Sequence, residues 1–300
     1  MLAPQGVDFV IELRDSMMLR LLYKALKNPH KVLPDLFQRI TSLPQSLPLL
    51  ELLCYRGEQR YLKMQQIRYR QRASKSNYAA ATKEDKVVGV YHLHDQWKDY
   101  DHYLMKYVDG SFKDKIALDF ACGPGRNIVK YHHHFARIDG ADISPVNIEN
   151  AKINLQFHNV PIPNLFVTSG VDCGEVKDET YDFIFSTIAM QHICVYSIRY
   201  KILAAMFAAL KTGGRISIQM GFGKQIPEKS SVAYHANAYE VFDTNGALDT
   251  RVEDPNDIKN DLTKIGYSNM EYWIRPVGPG DRHPNWIFFT ATKESVQNRA

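Results

Sequence analysis

Ile116-Ala-Leu-Asp-Phe-Ala-Cys-Gly-Pro-Gly-Arg-Asn127 is the stretch from which the rest of the chain can be read. The apolar run Ile116–Phe120 predicts a buried strand. Gly123 and Gly125 break it into a tight turn, and helical spacing resumes at Arg126. Positions without a Cβ let the backbone approach a ligand closely. The start of the following helix offers unpaired N–H groups to a carboxylate or phosphate. In an open α/β sheet, this first crevice is where ligands bind.

The same alternation continues downstream. Apolar runs at Ile138–Ile143, Leu165–Thr168, Tyr181–Thr187 and Arg215–Met220 are separated by helical stretches at Arg126–His134, Pro145–Phe157 and Ser197–Leu210. That order predicts a parallel sheet with crossover helices. The end differs: a helix over Asn256–Ile265 is followed by strands over Met270–Arg275 and Trp286–Ala291. Two strands with no helix between them predict an antiparallel hairpin. The expected fold is α/β, with seven strands, mostly parallel, and a C-terminal hairpin. Upstream, Val10, Leu13, Met17, Met18, Leu21, Leu22 and Leu26 recur at helical spacing until Asn28-Pro29. Leu36, Phe37 and Ile40 predict a short second helix. Pro44 and Pro48 end it, and a third begins over Leu49 to Leu62. The chain therefore divides into a helical N-terminal extension, residues 1–86, and an α/β domain, residues 87–300. Residues 221–255 are long for a connection and carry Tyr234, His235, Tyr239 and Phe242. They read as an acceptor-binding lid.

Composition sets the outer limits. Three hundred residues, 45% hydrophobic and 23% charged, fit one large or two smaller globular domains. They exclude a collagen-like or wholly disordered chain. Cys54, Cys122, Cys173 and Cys194 are scattered without a C-x-x-C pair, so no zinc site or disulfide framework is expected. His132, His133 and His134 are consecutive, so on a helix they diverge and cannot share a metal. No apolar run reaches membrane-spanning length, and acidic and basic residues interrupt the N-terminus where a leader would be apolar. The expected location is the cytoplasm. Residues 1–86 hold 15 Lys and Arg against 8 Asp and Glu, a net +7, while the remainder carries −3. The densest run is Arg56, Arg60, Lys63, Arg68, Arg70, Arg72 and Lys75. It marks either a solvated helical face or a surface for an anionic partner or a membrane.

Asp142 follows Asp119 by 23 residues, at the end of the next strand in Gly140-Ala-Asp-Ile-Ser. A carboxylate there can accept both hydroxyls of a ribose. Ser144, before Pro145, takes the helix-capping role. A dinucleotide site uses G-x-G-x-x-G, whereas the order here is Asp-x-Ala-x-Gly-x-Gly. An acid at the strand end repels a pyrophosphate and suits an amine. The residues thus point to a nucleoside joined to an amino acid, S-adenosylmethionine.

From about residue 86 to 294 the chain resembles the class I S-adenosylmethionine-dependent methyltransferases, with their Rossmann-like sheet. The matching pieces are Asp119-Phe-Ala-Cys-Gly-Pro-Gly, Gly140-Ala-Asp-Ile-Ser, Tyr181-Asp-Phe-Ile-Phe-Ser-Thr-Ile-Ala-Met-Gln-His-Ile, Leu210-Lys-Thr-Gly-Gly-Arg-Ile-Ser-Ile and the closing hairpin. Ala121 stands where the family often has its first glycine. The resemblance implies that Asp119 and Gly123 lie against the methionine portion of the cofactor, with Ala121 and Gly125 in the same cofactor-binding loop. It implies that Asp142 holds the ribose and that Ile143 packs on the adenine. Asp172, with Cys173 beside it, matches the position that meets the adenine amine. Ser186 and Thr187 would end the fourth strand beside the transferred methyl, with His192 following.

The acceptor is the open part. A sulfonium carries an already activated methyl, so alignment does most of the work. An alcohol acceptor also needs a base of near-neutral pKa, for which His192, His235 and His283 are the candidates. If the last two strands turn on the ligand face, Asp281, His283 and Trp286 border the site. Tyr234, Tyr239 and Trp286 are the expected acceptor contacts. Tyr91, His92 and Trp97 precede the first strand, where packing is their simplest role. The fourth strand ends Ser-Thr-Ile-Ala, without the Asn/Asp-Pro-Pro-aromatic sequence or Pro-Cys of base methylation. This disfavours nucleic acid and favours a small or carrier-linked hydroxyl or amine acceptor, a sugar or natural-product intermediate. The competing readings are an RNA or protein methyltransferase docking through the basic extension, and a non-catalytic cofactor-binding module.

Overall fold

The structure, a computed structural model, describes residues 55–74, 96–226, 231–239, 249–278 and 281–294. The helices expected over 10–26 and 36–40, Tyr91, His92, Phe242 and the boundary at residue 86 lie outside these residues.

The described part of the basic extension is helix α1 (Gly57–Ser74), and a short helix α2 (Gln96–Asp99) leads into the sheet. Five parallel strands follow: β1 (Ile116–Phe120), β2 (Arg137–Asp142), β3 (Leu165–Val167), β4 (Tyr181–Ser186) and β5 (Leu210–Phe222). Their spatial order is β3-β2-β1-β4-β5. The chain reverses at β1, which places a crevice over the C-terminal ends of β1 and β2, as the sequence predicts. Helices α3 (Arg126–Tyr131), α4 (Pro145–Phe157) and α5 (Tyr196–Ala209) make the crossovers. Ser144 caps α4, its hydroxyl accepting from the N–H of Asn147 at 3.3 Å, with Pro145 in the first turn.

The described part of the segment after β5 departs from the expected lid. It adds two short strands, β6 (Ser231–Ala233) and β7 (Asp249–Val252), both parallel to β5, so the sheet has nine strands where seven were read. Helix α6 (Pro255–Ile265) then leads to β8 (Ser268–Pro276) and β9 (Asn285–Thr292), the expected antiparallel hairpin, with β9 lying against β5.

Side chains alternate between two cores, as strand geometry requires. Tyr181 and Ile184 of β4, Ile216, Ile218 and Met220 of β5, and Ile287 and Phe289 of β9 face α5, α6 and Tyr61. Phe183, Phe185, Trp286 and Phe288 face the opposite side, with Trp97, Tyr100 and Tyr131. Trp97 is buried edge-on against Tyr100 and Tyr131, a packing role.

Candidate functional site

A cavity of about 610 Å³ opens at the C-terminal ends of β1, β2 and β4, within the usual range for small-molecule sites. Its floor is the loop after β1. Ala121, Gly123 and Gly125 all adopt positive φ, 60°, 54° and 83°. Nothing lies within 4 Å of a Cβ built on Gly123, so its backbone faces open space. Asp142, at the end of β2, ties this loop to α4. Its Oδ2 accepts from the N–H of Gly123 at 3.0 Å, and its Oδ1 from Ser144 N–H at 2.8 Å and Asn147 Nδ2 at 3.1 Å. Burial pushes its carboxyl above the ordinary range, against these three bonds. Ile143 lines the same wall.

Asp119 is placed differently from the expectation. It is fully buried behind the floor and does not line the cavity. Asn127 stands between, donating to Asp119 Oδ1 at 3.4 Å and to the Thr187 hydroxyl at 3.1 Å. Asn127 Oδ1 and Gln65 Oε1, both on the cavity wall, and Asp119 Oδ2 are buried without a hydrogen-bond partner among the described residues. Ionised, Asp119 only accepts, and the Asn127 Nδ2 is then the end of the amide that faces it. These three groups are acceptors. S-adenosylmethionine presents donors: an ammonium, two ribose hydroxyls and the adenine amine. The residues fit that ligand.

The roof is α1. Tyr61, Leu62, Gln65, Tyr69, Arg72 and Ala73 lie on one helical face and line the cavity. Tyr61 pins the chain after β4, accepting from Cys194 N–H at 2.8 Å and donating to the His192 carbonyl at 3.4 Å. Asn150 of α4 donates to the Ala73 carbonyl at 3.4 Å at the other end. The Tyr69 phenol, pushed up to about 12 by burial, feels both Asp142 and Asp249.

His192 lines the cavity, and its Nδ1 is 2.6 Å from Asp249 Oδ1. The sheet explains the meeting. β9 occupies one edge of β5 along Arg215–Phe222. β4 holds the other edge as far as Ile218, and β7 takes it over at Gly221 and Phe222. β7 therefore begins just beyond the end of β4, and its first residue, Asp249, meets the turn that carries His192.

Several expected site residues lie elsewhere. His235 is exposed and pairs with Asp257 at 3.1 Å. His283 is 2% exposed and sits behind Asp249, with its Nε2 3.1 Å from Asp249 Oδ2. Neither lines the cavity. Tyr234, Tyr239 and Trp286 are also absent from its wall. The Tyr234 hydroxyl donates to Asp261 at 3.0 Å, and its carbonyl accepts from the buried Arg199. The Tyr239 hydroxyl bonds Ser197, and Trp286 packs in the core. These bonds staple Tyr234 and Tyr239 to α5 and α6, outside the cavity, so they do not form the lid. Asp172 closes its own loop, accepting from Gly174 N–H at 2.8 Å and from the Ser169 hydroxyl and N–H. Cys173 and Ser186 are buried and do not line the cavity, whereas Thr187 does. Sequence reasoning missed Asn127, Asp249 and the α1 face. The last left a signal: Tyr61, Gln65 and Tyr69 recur every fourth residue within the basic stretch.

Residues 117–214 match the model of a family described as a methyltransferase domain. That stretch is similar to a methyltransferase domain and spans β1 to the start of β5. No curated protein matches the chain. Among solved structures, this methyltransferase fold is similar to magnesium protoporphyrin IX methyltransferase from Synechocystis PCC 6803 with bound SAH. The identity is 13%, the TM-score 0.53, and the match covers 78% of this chain and 100% of that one. It is also similar to phosphoethanolamine N-methyltransferase 2 of Haemonchus contortus in complex with S-adenosyl-L-methionine, at 16% identity and TM-score 0.51, covering 76% of this chain and 60% of that one. A third is geranyl diphosphate C-methyltransferase from Streptomyces coelicolor A3(2), at 11% identity and TM-score 0.50, covering 69% and 82%. The chain spans less than two thirds of the Haemonchus contortus enzyme structures. At these identities the likeness is one of fold. Among the described residues, no helix is long and apolar enough to cross a membrane.

Proposed function

We propose that the chain transfers a methyl group from S-adenosylmethionine to a hydroxyl of a small acceptor with an apolar body, with His192 as the proton acceptor. The observation that carries this reading is the 2.6 Å contact between His192 Nδ1 and the buried Asp249. A ring held at Nδ1 presents Nε2 as its free base. A carboxylate behind it stabilises the charge gained on protonation, the logic of an oriented histidine base. When bound, S-adenosylmethionine supplies a methyl on a positively charged sulfur. Asp142 and the Gly123 loop would orient the nucleoside, and Asn127 would accept from the ammonium. The acceptor hydroxyl would lose its proton to His192 as the C–O bond forms and the methyl–sulfur bond breaks, leaving S-adenosylhomocysteine. Leu62, Ile188, Ile193, Ile198 and Ile202 line the cavity. They exclude water and favour an apolar molecule over a sugar.

The test uses cofactor labelled in the methyl group and a panel of phenols, long-chain alcohols, matched amines and RNA. The account predicts a labelled methyl ether from an apolar hydroxyl compound. It predicts a loss on the order of a hundredfold in His192→Ala, with affinity for S-adenosylhomocysteine retained. Transfer to RNA or amines alone contradicts it.

A further inference from the structure

Asp249 has a second histidine on its far oxygen. Oδ1 is 2.6 Å from His192 Nδ1, and Oδ2 is 3.1 Å from His283 Nε2. Asp249 is 1% exposed and His283 is 2% exposed, so neither oxygen can fall back on solvent. The three groups come from three elements: the turn after β4, the start of β7 and the turn between β8 and β9. Only His192 reaches the cavity.

The geometry points to His283 as a positioning residue: by bonding the far oxygen of Asp249, it fixes the carboxylate that holds His192 with Nε2 free toward the cleft. This rests on the reading of His192 as the base.

An ionised carboxylate only accepts, so each ring nitrogen at hydrogen-bond distance from it must carry a proton. His192 is then the Nδ1–H tautomer when neutral, and His283 carries its proton on Nε2. Burial by itself raises the Asp249 carboxyl, but the bonds from His192 and His283 outweigh it and leave the carboxyl well below the ordinary range. The other groups facing this centre are few. Cys194 and Arg199 stand on the α5 side, where Arg199 reaches the Thr250 hydroxyl at 2.9 Å. Tyr69 and Arg68 face it from α1. Asp281 accepts from the His283 N–H at 3.1 Å. No second carboxylate contacts the His192 ring among the described residues, so the orientation of Asp249 decides that of His192.

The fold keeps a place for the His283 ring. A Cβ built on Gly221 of β5 would lie 2.3 Å from three atoms of the imidazole. Any other residue there must expel the ring or move the strand. Gly221→Ala therefore breaks the seat of the His283 ring against β5 without changing a titratable group.

The experiment is two-bond proton–nitrogen correlation spectroscopy on the full chain labelled with ¹⁵N-histidine. In the wild type, neutral His192 is expected as the Nδ1–H tautomer and His283 as Nε2–H. His283→Ala and Gly221→Ala should both turn His192 into a tautomer mixture. His283→Gln, whose amide N–H can still donate to Asp249, should restore the single form. Affinity for S-adenosylhomocysteine, read by calorimetry, should stay within about twofold throughout. Where an acceptor is in hand, His283→Ala should lower kcat on the order of tenfold, with KM for S-adenosylmethionine unchanged. An Nε2–H tautomer for His192 in the wild type overturns the inference without any variant. So does a His192 that keeps a single tautomer in both alanine variants, or a failure of His283→Gln to restore it. The spectra need no acceptor and no turnover, so a failure of methyl transfer would fall on the proposed activity and leave this positioning role standing.

Discussion

Asp119 carries two consequences that pull in opposite directions. One oxygen meets Asn127, and the other meets no hydrogen-bond donor among the described residues. Burial holds this carboxyl well above the ordinary value, against the Asn127 bond, with Asp142 raising it further and Arg126 lowering it. A carboxyl raised in the folded state is stabilising in its neutral form. That contribution is complete below its unfolded pKa of about 3.9 and is lost as pH rises through the folded value. At neutral pH, Asp119→Asn should therefore stabilise the free chain by about 1–3 kcal/mol, and the gap should narrow as pH falls. Thermal melts across pH check this, and a gap independent of pH contradicts it. The same substitution should weaken the binding of a ligand carrying an ammonium. Asp142 acts on the cofactor side. Asp142→Ala removes a carboxylate that can meet the ribose and frees the Gly123 N–H. Affinity for S-adenosylhomocysteine should fall by about 1.5–3 kcal/mol in calorimetry, and unchanged affinity would refute the ribose role.

At the scale of elements, the N-terminal helix α1 changes the account most. Arg56, just before it, and Arg70 are exposed, as either a solvated face or a surface for an anionic partner requires. Its other face covers the cleft. Tyr61 is the joint, 1% exposed, with its oxygen on the Cys194 N–H. Tyr61→Phe should destabilise the chain by about 1–3 kcal/mol, because that buried N–H loses its acceptor. Urea denaturation reads the change, and a shift below a few tenths of a kcal/mol would show that α1 is not seated on the turn after β4. Strands and crossover helices were legible because their periodicity and stops are local. β1 and α4 have the bounds that the residues predict, and the loop between Asp119 and Asn127 makes the turn its glycines require. The partner of a buried face is not local. Tyr234 and Tyr239 were read as acceptor contacts, because nothing in their spacing says that they face Asp261 and Ser197 instead of the cleft. Asp249 was invisible for the same reason: its role follows from β7 taking over the edge of β5 where β4 ends, a fact of sheet register.

For the whole molecule, the parts converge on one cleft with a division of labour. The β1 and β2 ends supply Gly123, Asn127 and Asp142, and the turn after β4 supplies His192. The β5 insert supplies Asp249, and α1 closes the top. Helix α1 and the strand ends are thus two sides of one cleft. The most direct test is a crystal structure of the full chain with S-adenosylhomocysteine. The account predicts the nucleoside beneath α1, its ribose on Asp142, its amine at Asn127 Oδ1, and His192 Nε2 within roughly 3–5 Å of the line the methyl would take from sulfur. A nucleoside bound outside this cleft, or a cleft that takes a diphosphate at Gly123 and leaves His192 remote, would contradict it.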